Sequence, residues 1–210
     1  RLQTDYIDLY QAHEDDLSLP VEAPLETFGA LIAAGKVRVI GASNFGAARL
    51  EAVLCMGGHN GLPRYESLQP HYNLMERAEF ESEHAPVCRR HAIGVIPYFA
   101  LASGFLTGKY RSEADFAKSV RGEDAQQYLN PRGRAVLTAL DEVAARHGGT
   151  PAQVALAWLL AKQPVTAPII GASKMPQLDD AVAAVNVKLS EGDIKQLEAP
   201  YKARPNIAFR

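Results

Sequence analysis

Cysteine is scarce in this sequence of 210 residues, no long apolar run interrupts it, and neither charge sign is in excess. The two cysteines, Cys55 and Cys88, are too few for a disulfide framework and fit neither CxxC nor a metal spacing. A reducing cytoplasm is therefore expected, with both thiols as buried filler. No apolar stretch reaches the roughly 20 residues of a membrane span. Lys and Arg number 22 against 24 Asp and Glu, a formal net charge of -2. That balance leaves no electrostatic footprint for a nucleic-acid backbone or an acidic membrane and favours a small-molecule or protein partner. No GxGxxG follows a strand, and no histidine stands in HExxH or another metal spacing, so neither the common dinucleotide fold nor a metal is assigned. There is no initial Met and no charged-then-apolar leader, and strand-like sequence arrives within about five residues. The chain reads as one that starts inside a fold.

What is present is ordinary globular sequence, 47% hydrophobic, in which short apolar runs alternate with segments of helical period. Strands are expected at Tyr6–His13, Val37–Ser43, Tyr65–Gln69, Ile93–Leu101 and Ala167–Ser173. Pro97 in the fourth cannot donate to a ladder. Helices are expected at about 21–34, where Gly35 ends the pattern, and at 47–56, 78–91, 134–147, from 151 onward and 176–185. Residues 57–61 read as a loop, and about 111–133 as a long functional loop. Thr150-Pro151 is an N-cap followed by proline, and Ser190 with Asp193 opens an extra C-terminal helix at about 190–199. Alternation of this kind implies an α/β fold with parallel strands in about five strand-helix units.

The strand ends carry the chemistry. Ile40-Gly41-Ala42-Ser43 and Ile170-Gly171-Ala172-Ser173 each close an apolar strand just before a helix, whose free amides suit an anion. Capped turns of the ordinary kind account for either one alone. Gly104 to Tyr110 invites comparison with the phosphate-binding loop GxxxxGK[ST], but its glycines stand one residue too close and Tyr110 replaces the hydroxyl residue. An ATPase is excluded, while Lys109 and the amides near Gly104 remain able to hold a phosphate. His13 ends a strand, where a side chain would face a ligand, and taken alone it fits a satisfied structural histidine equally well.

Five ordered motifs then resemble one family. Thr4 to Tyr10 with His13, Gly35-Lys36-Val37-Arg38 with Ile40 to Phe45, Gln69 to Leu74, Gly104 to Tyr110, and Ile170 to Ser173 with Gln177-Leu178 are similar to the aldo-keto reductases, across essentially the whole chain. The resemblance implies a (β/α)8 barrel of the TIM type, which here spans the C-terminal portion from the fourth strand onward, with the first three units missing. It also implies hydride transfer between NADP(H), rather than NAD, and a small aldehyde or ketone. His13 matches the catalytic histidine, which orients the carbonyl. Ser43, Asn44 and Gln69 match the residues that hold the nicotinamide carboxamide, and Tyr98 the aromatic on the nicotinamide ring. Leu101, Ala102, Gly104, Leu106, Lys109 and Arg121 match the phosphate region. Gly171, Ser173, Lys174 and Gln177 match the adenosine-phosphate site, where a Ser-Lys pair suits a 2'-phosphate. Asp180 matches an acidic cofactor contact, or is a solvated helix residue.

The family's proton-donating tyrosine, with the lysine and aspartate that tune it, matches no position here, and Tyr6 and Tyr10 lie away from the strand's C-terminal mouth. The chain alone is therefore expected to be inactive. Two open strand edges, Tyr6–His13 and Ala167–Ala172, are expected to invite pairing or homo-oligomers. The competing function is a non-catalytic NADPH-binding, sensing or assembly module. A degenerate fragment that does not fold is the third.

Overall fold

The computed structural model describes residues 2–58, 61–119 and 121–203, so His59 and the centre of the expected 57–61 loop lie outside the described residues. Packing divides the chain into two compact units, 1–70 with 80–96, and 71–79 with 97–210.

In the first unit the strands β1 (Ile7–Ala12), β2 (Val37–Ser43), β3 (Tyr65–Gln69) and β4 (Gly94–Val95) lie side by side in that order. All three pairings are parallel. Parallel neighbours need a crossover, supplied by α1 (Glu22–Ala33), α2 (Ala47–Met56) and α3 (Ala85–Arg90). α1 stops where Gly35, at φ 68°, turns left-handed, so that Gly35 N–H bonds Ile32 O and Lys36 N–H bonds Leu31 O. One sheet face buries Ile40, Ala42 and Leu68 with Leu25, Leu50, Val53 and Leu54 of the helices. The other leaves Leu9 and Val39, partners in the β1–β2 register, 36% and 39% exposed.

Gly41 on that second face is required by its neighbours. A Cβ there would lie 2.3 Å from Ser67 Oγ and 3.3 Å from side-chain atoms of Gln11 and Leu9. Gly41→Ala is therefore expected to lose about 1–3 kcal/mol of stability through overpacking. Ser67 Oγ is buried without a partner among the described residues, so Ser67→Ala is expected to be nearly neutral and to recover most of the loss in the double variant. Chemical denaturation of the three variants checks this; a Gly41→Ala midpoint equal to wild type refutes it.

The second unit is helical: α4 (Gly122–Gln126), α5 (Pro131–His147), α6 (Pro151–Leu160), α7 (Met175–Ala183) and α8 (Glu191–Glu198), with 3-10 turns at Ala102–Thr107, Glu113–Lys118 and Ala184–Asn186. Local caps set the starts. Asn130 Oδ1 accepts from Gly133 N–H at 3.1 Å and Thr150 Oγ1 from Gln153 N–H at 3.2 Å, each one residue before a proline. α6 is the core, with Trp158 fully buried. Segment 71–79 joins this unit because the Tyr201 hydroxyl accepts from the Arg77 and Ala78 amides, at 3.2 and 2.8 Å. The Arg77 guanidinium lies over the Trp158 and Tyr201 rings, 5.3 and 4.8 Å from their centroids, and donates to Glu198 at 3.0 Å.

Several expectations are corrected. Residues 167–172 form no strand; the Ile169 amide bonds Pro97 O at 2.9 Å, and the chain is otherwise irregular there. The fourth strand narrows to Gly94–Val95, with an isolated parallel bridge His71–Tyr98 in the second unit, so among the described residues four ladder strands stand where five were expected and Ala167–Ala172 forms no strand edge. The first strand ends at Ala12, one residue before His13. The helix expected over 78–91 contains a wide π-turn, Phe80–His84, before α3. The long loop is not structureless: it holds a 3-10 turn and α4, and α5 begins at Pro131 rather than 134. Cys88 is buried, which pushes its thiol up to about 12, but Cys55 is exposed and fills nothing. The C-terminal helix stands as expected, as α8.

Candidate functional site

In the first unit the candidate residues gather where parallel strands end. Ser43 closes β2, is 1% exposed, and donates its hydroxyl to Gln69 O at 2.9 Å. Asn44 follows in the left-handed region at φ 56°. Its Nδ2 donates to His13 O at 2.9 Å. Ser43, Asn44, Gln69 and the exposed His13 are thus one bonded cluster.

In the second unit the His71 and Tyr98 rings stack, 5.4 Å apart and 11° from parallel, and Asn73 Nδ2 donates to Phe99 O at 2.9 Å. Burial, with Glu79 adding to it, pushes the Tyr98 hydroxyl up to about 12, so this tyrosine stays protonated at neutral pH. Within residues 99–104 the backbone turns left-handed four times, at Phe99, Ala102, Ser103 and Gly104, with φ of 52°, 48°, 55° and 88°. Only the last is glycine, and such backbone persists where the surroundings impose it. Leu101 O binds the turn by accepting from the Gly104 and Leu106 amides, at 2.9 and 3.2 Å. Lys109 crosses over Gly104, where a Cβ would come within 3.0 Å of its Nζ, and that ammonium sits 4.8 Å from the Tyr110 ring centroid and 3.3 Å from Ser119 Oγ. The Arg121 guanidinium lies 6.0 Å from the Phe99 ring centroid. The Leu106 and Ala102 side chains are buried, and their amides are engaged by Leu101 O and Phe99 O.

At the start of α7, Gln177 Oε1 accepts from the Ser173 and Lys174 amides, at 2.8 and 3.3 Å, and from Ser173 Oγ. Gln177 thus caps the helix and shapes the Ser173-Lys174 corner. A Cβ on Gly171 would meet nothing within 4 Å, so a ligand can approach the backbone there. Asp180 is differently engaged. Its carboxylate accepts from Thr150 Oγ1 at 2.8 and 3.0 Å and from Gln153 Nε2 at 2.6 Å, tying α7 to the cap of α6. It is half-buried and engaged with the cap of α6.

The model of the aldo/keto reductase family matches residues 1–202. The chain belongs to the aldo-keto reductase family. Among curated relatives, an aldo-keto reductase of Fusarium vanettenii is 34% identical over 207 residues, 98% of this chain and 55% of the relative. A putative aryl-alcohol dehydrogenase of Schizosaccharomyces pombe is 34% identical over 197 residues, 93% of this chain and 55% of the relative. Versiconal hemiacetal acetate reductase of Aspergillus parasiticus is 33% identical over 202 residues, 93% of this chain and 57% of the relative. The chain spans a little over half the length of these relatives. The aldo-keto reductase family is one of oxidoreductases that typically use a nicotinamide cofactor. Among the described residues no helix is long and apolar enough to cross a membrane, and no His, Cys, Asp and Glu group could hold a metal.

Sequence reasoning passed over Arg49. From α2 it pairs with Asp15 and donates to Asp16 O and Leu19 O, at 3.2 and 2.8 Å, holding the loop that follows His13. A single arginine on a helix carries no pattern that distinguishes it from a solvated charge.

Proposed function

We propose that this chain is the cofactor platform of an NADP(H)-dependent reductase of small aldehydes or ketones. The observation that carries the reading is the bonded cluster of Ser43, Asn44, Gln69 and His13 in a chain of this family. NADPH, when bound, supplies the hydride. Ser43, Asn44 and Gln69 hold its carboxamide, which needs donors and acceptors together, and Tyr98 packs on the ring and leaves one face open. The left-handed backbone around Gly104, with Lys109 above it, is a cradle of amides and a cation suited to a pyrophosphate. Ser173 and Lys174 take the 2'-phosphate. His13 orients the carbonyl and bonds the developing alkoxide.

The exposed Leu9 and Val39, on the face that carries Gly41, support a barrel interior left open at β1, and hence a partial (β/α)8 barrel running from the fourth strand onward. With no counterpart in residues 1–210 for the proton-donating tyrosine and its partners, these residues alone are expected to bind NADPH without turnover. The free Cys55 and Cys88 suit a reducing cytoplasm.

The test uses the native protein. NADPH is expected to quench its fluorescence, and aldehydes to drive loss of NADPH absorbance. Lys174→Ala is expected to weaken NADPH binding about tenfold and leave NADH binding unchanged, because only the 2'-phosphate is lost as a partner. Binding without turnover across a broad aldehyde and ketone panel favours the non-catalytic module. Equal weakening of both cofactors refutes the 2'-phosphate assignment.

A further inference from the structure

We propose that His84 is a positioning residue for the turn Ser43-Asn44-Phe45, clamping it in the shape that receives the nicotinamide end of the cofactor. The ligand of that turn rests on the function proposed above; the clamp itself rests on geometry.

His84 ends the wide π-turn Phe80–His84 and is 4% exposed. Its Nε2 lies 2.8 Å from Phe45 O. A carbonyl oxygen only accepts, so Nε2 carries the hydrogen. Nδ1 is then a bare acceptor in the neutral ring, and it is buried without a partner among the described residues. A leucine would fill the same space without the unpartnered Nδ1, but it would leave Phe45 O without its donor. The imidazole is explained by what its other nitrogen does. Widened helical turns are frequent at functional sites.

The accepting carbonyl belongs to the residue directly after Asn44, which is left-handed at φ 56°. A non-glycine residue holds that conformation where its neighbours leave no alternative. Here both flanks are tied. Ser43 is bonded to Gln69 O at the end of β3, and Phe45 is fixed by His84 and by its ring, 6% exposed and 5.7 Å from the Tyr65 ring centroid. Asn44, held from both sides, directs Nδ2 to His13 O. Three consecutive residues are thus anchored to three separate parts of the first unit. Loss of the His84 bond frees the Phe45 peptide to rotate, and with it the Asn44 amide that bonds His13 O and faces the carboxamide.

The experiment compares His84→Leu and His84→Gln in the native protein. Three readouts are used: amide hydrogen exchange across 43–46 without cofactor, NADPH titration, and thermal melting. His84→Leu is expected to raise exchange in that turn and weaken NADPH binding, each about tenfold, the scale of one hydrogen bond. The melting temperature is expected to stay within about 3 °C of wild type. Gln carries a donor of similar reach, so His84→Gln is expected to restore both readouts. Wild-type exchange and affinity in His84→Leu overturn the proposal. So does a global rise in exchange or a failure to fold in that variant, since either makes His84 a core residue only. If wild-type protein binds no NADPH, the proposed function fails, while exchange at 43–46 still decides the clamp.

Discussion

Glu198→Ala is expected to cost about 1–3 kcal/mol of stability, the scale for leaving a buried donor without its acceptor. Glu198 accepts from Arg77 at 3.0 Å, from the Trp158 indole at 2.9 Å and from Lys162. Burial pushes its carboxyl up, but the bonds from Lys162, Trp158 and Arg77 outweigh this and hold it below its ordinary value. Truncation takes the Glu198 carboxylate from the Arg77 guanidinium, whose side chain is 9% exposed, and strands the indole N–H of a fully buried tryptophan. Glu198→Gln keeps an acceptor for the indole and loses the charge, so an intermediate loss is expected. Lys162→Ala removes the outer partner, whose side chain is 25% exposed, and is expected to cost less than about 1 kcal/mol. Denaturant unfolding ranks the three. A Glu198→Ala loss no larger than that of Lys162→Ala shows that the Arg77 site relaxes to water.

The second large effect is a dependence on acid. Asp193 caps α8 by exchanging bonds with Ser190, and its carboxylate also accepts from Arg146 Nη2 at 2.7 Å and meets His147 Nε2 at 3.1 Å. The Arg146 bond above all, opposed by burial and helped by Ser190 and His147, holds its carboxyl well below the usual carboxylate range. The sign follows from the depressed folded value. The unfolded chain takes up the proton first, near pH 4, so the contribution is complete above that pH and drains away as pH falls below it. Asp193→Asn is expected to lose about 1–3 kcal/mol at pH 7, as a cap and a charge-assisted bond are lost together. Its stability is expected to fall less steeply than wild type below pH 4. Parallel curves for the two proteins would refute the assignment.

Much of the architecture is written locally. β2 has the same limits in sequence and structure, because it is a β-branched run bounded by turn residues, and β3 starts at Tyr65 as expected. The starts of α6 and α8 follow from caps three residues long. The misreadings share a cause. Residues 167–172 have strand composition, but a ladder also needs a neighbour in register, and Pro168 has no N–H to offer one. The bonds of Asp180 to Thr150 and Gln153 escaped notice because those partners stand about 30 residues away in sequence. In the candidate site, residue types at strand ends marked Ser43 and His13, and the family resemblance added Asn44 and Gln69. The bonds that join them run through backbone carbonyls, which every residue carries and no motif distinguishes.

The attachment of segment 71–79 has a consequence for synthesis. Its anchors, Glu198 and Tyr201, lie 121 to 124 residues further along the chain. At ribosomal rates of roughly 5–20 residues per second, that interval is on the order of ten seconds. Throughout it, Arg77 has neither its carboxylate nor the Tyr201 ring, and the Arg77 and Ala78 amides have no hydroxyl to bind. β1 and β2 pair across about 30 residues and can form long before. The nascent chain thus completes its sheet early and its helical unit late, and chaperone occupancy during translation is expected to concentrate on 71–79 and α6 until residue 201 emerges.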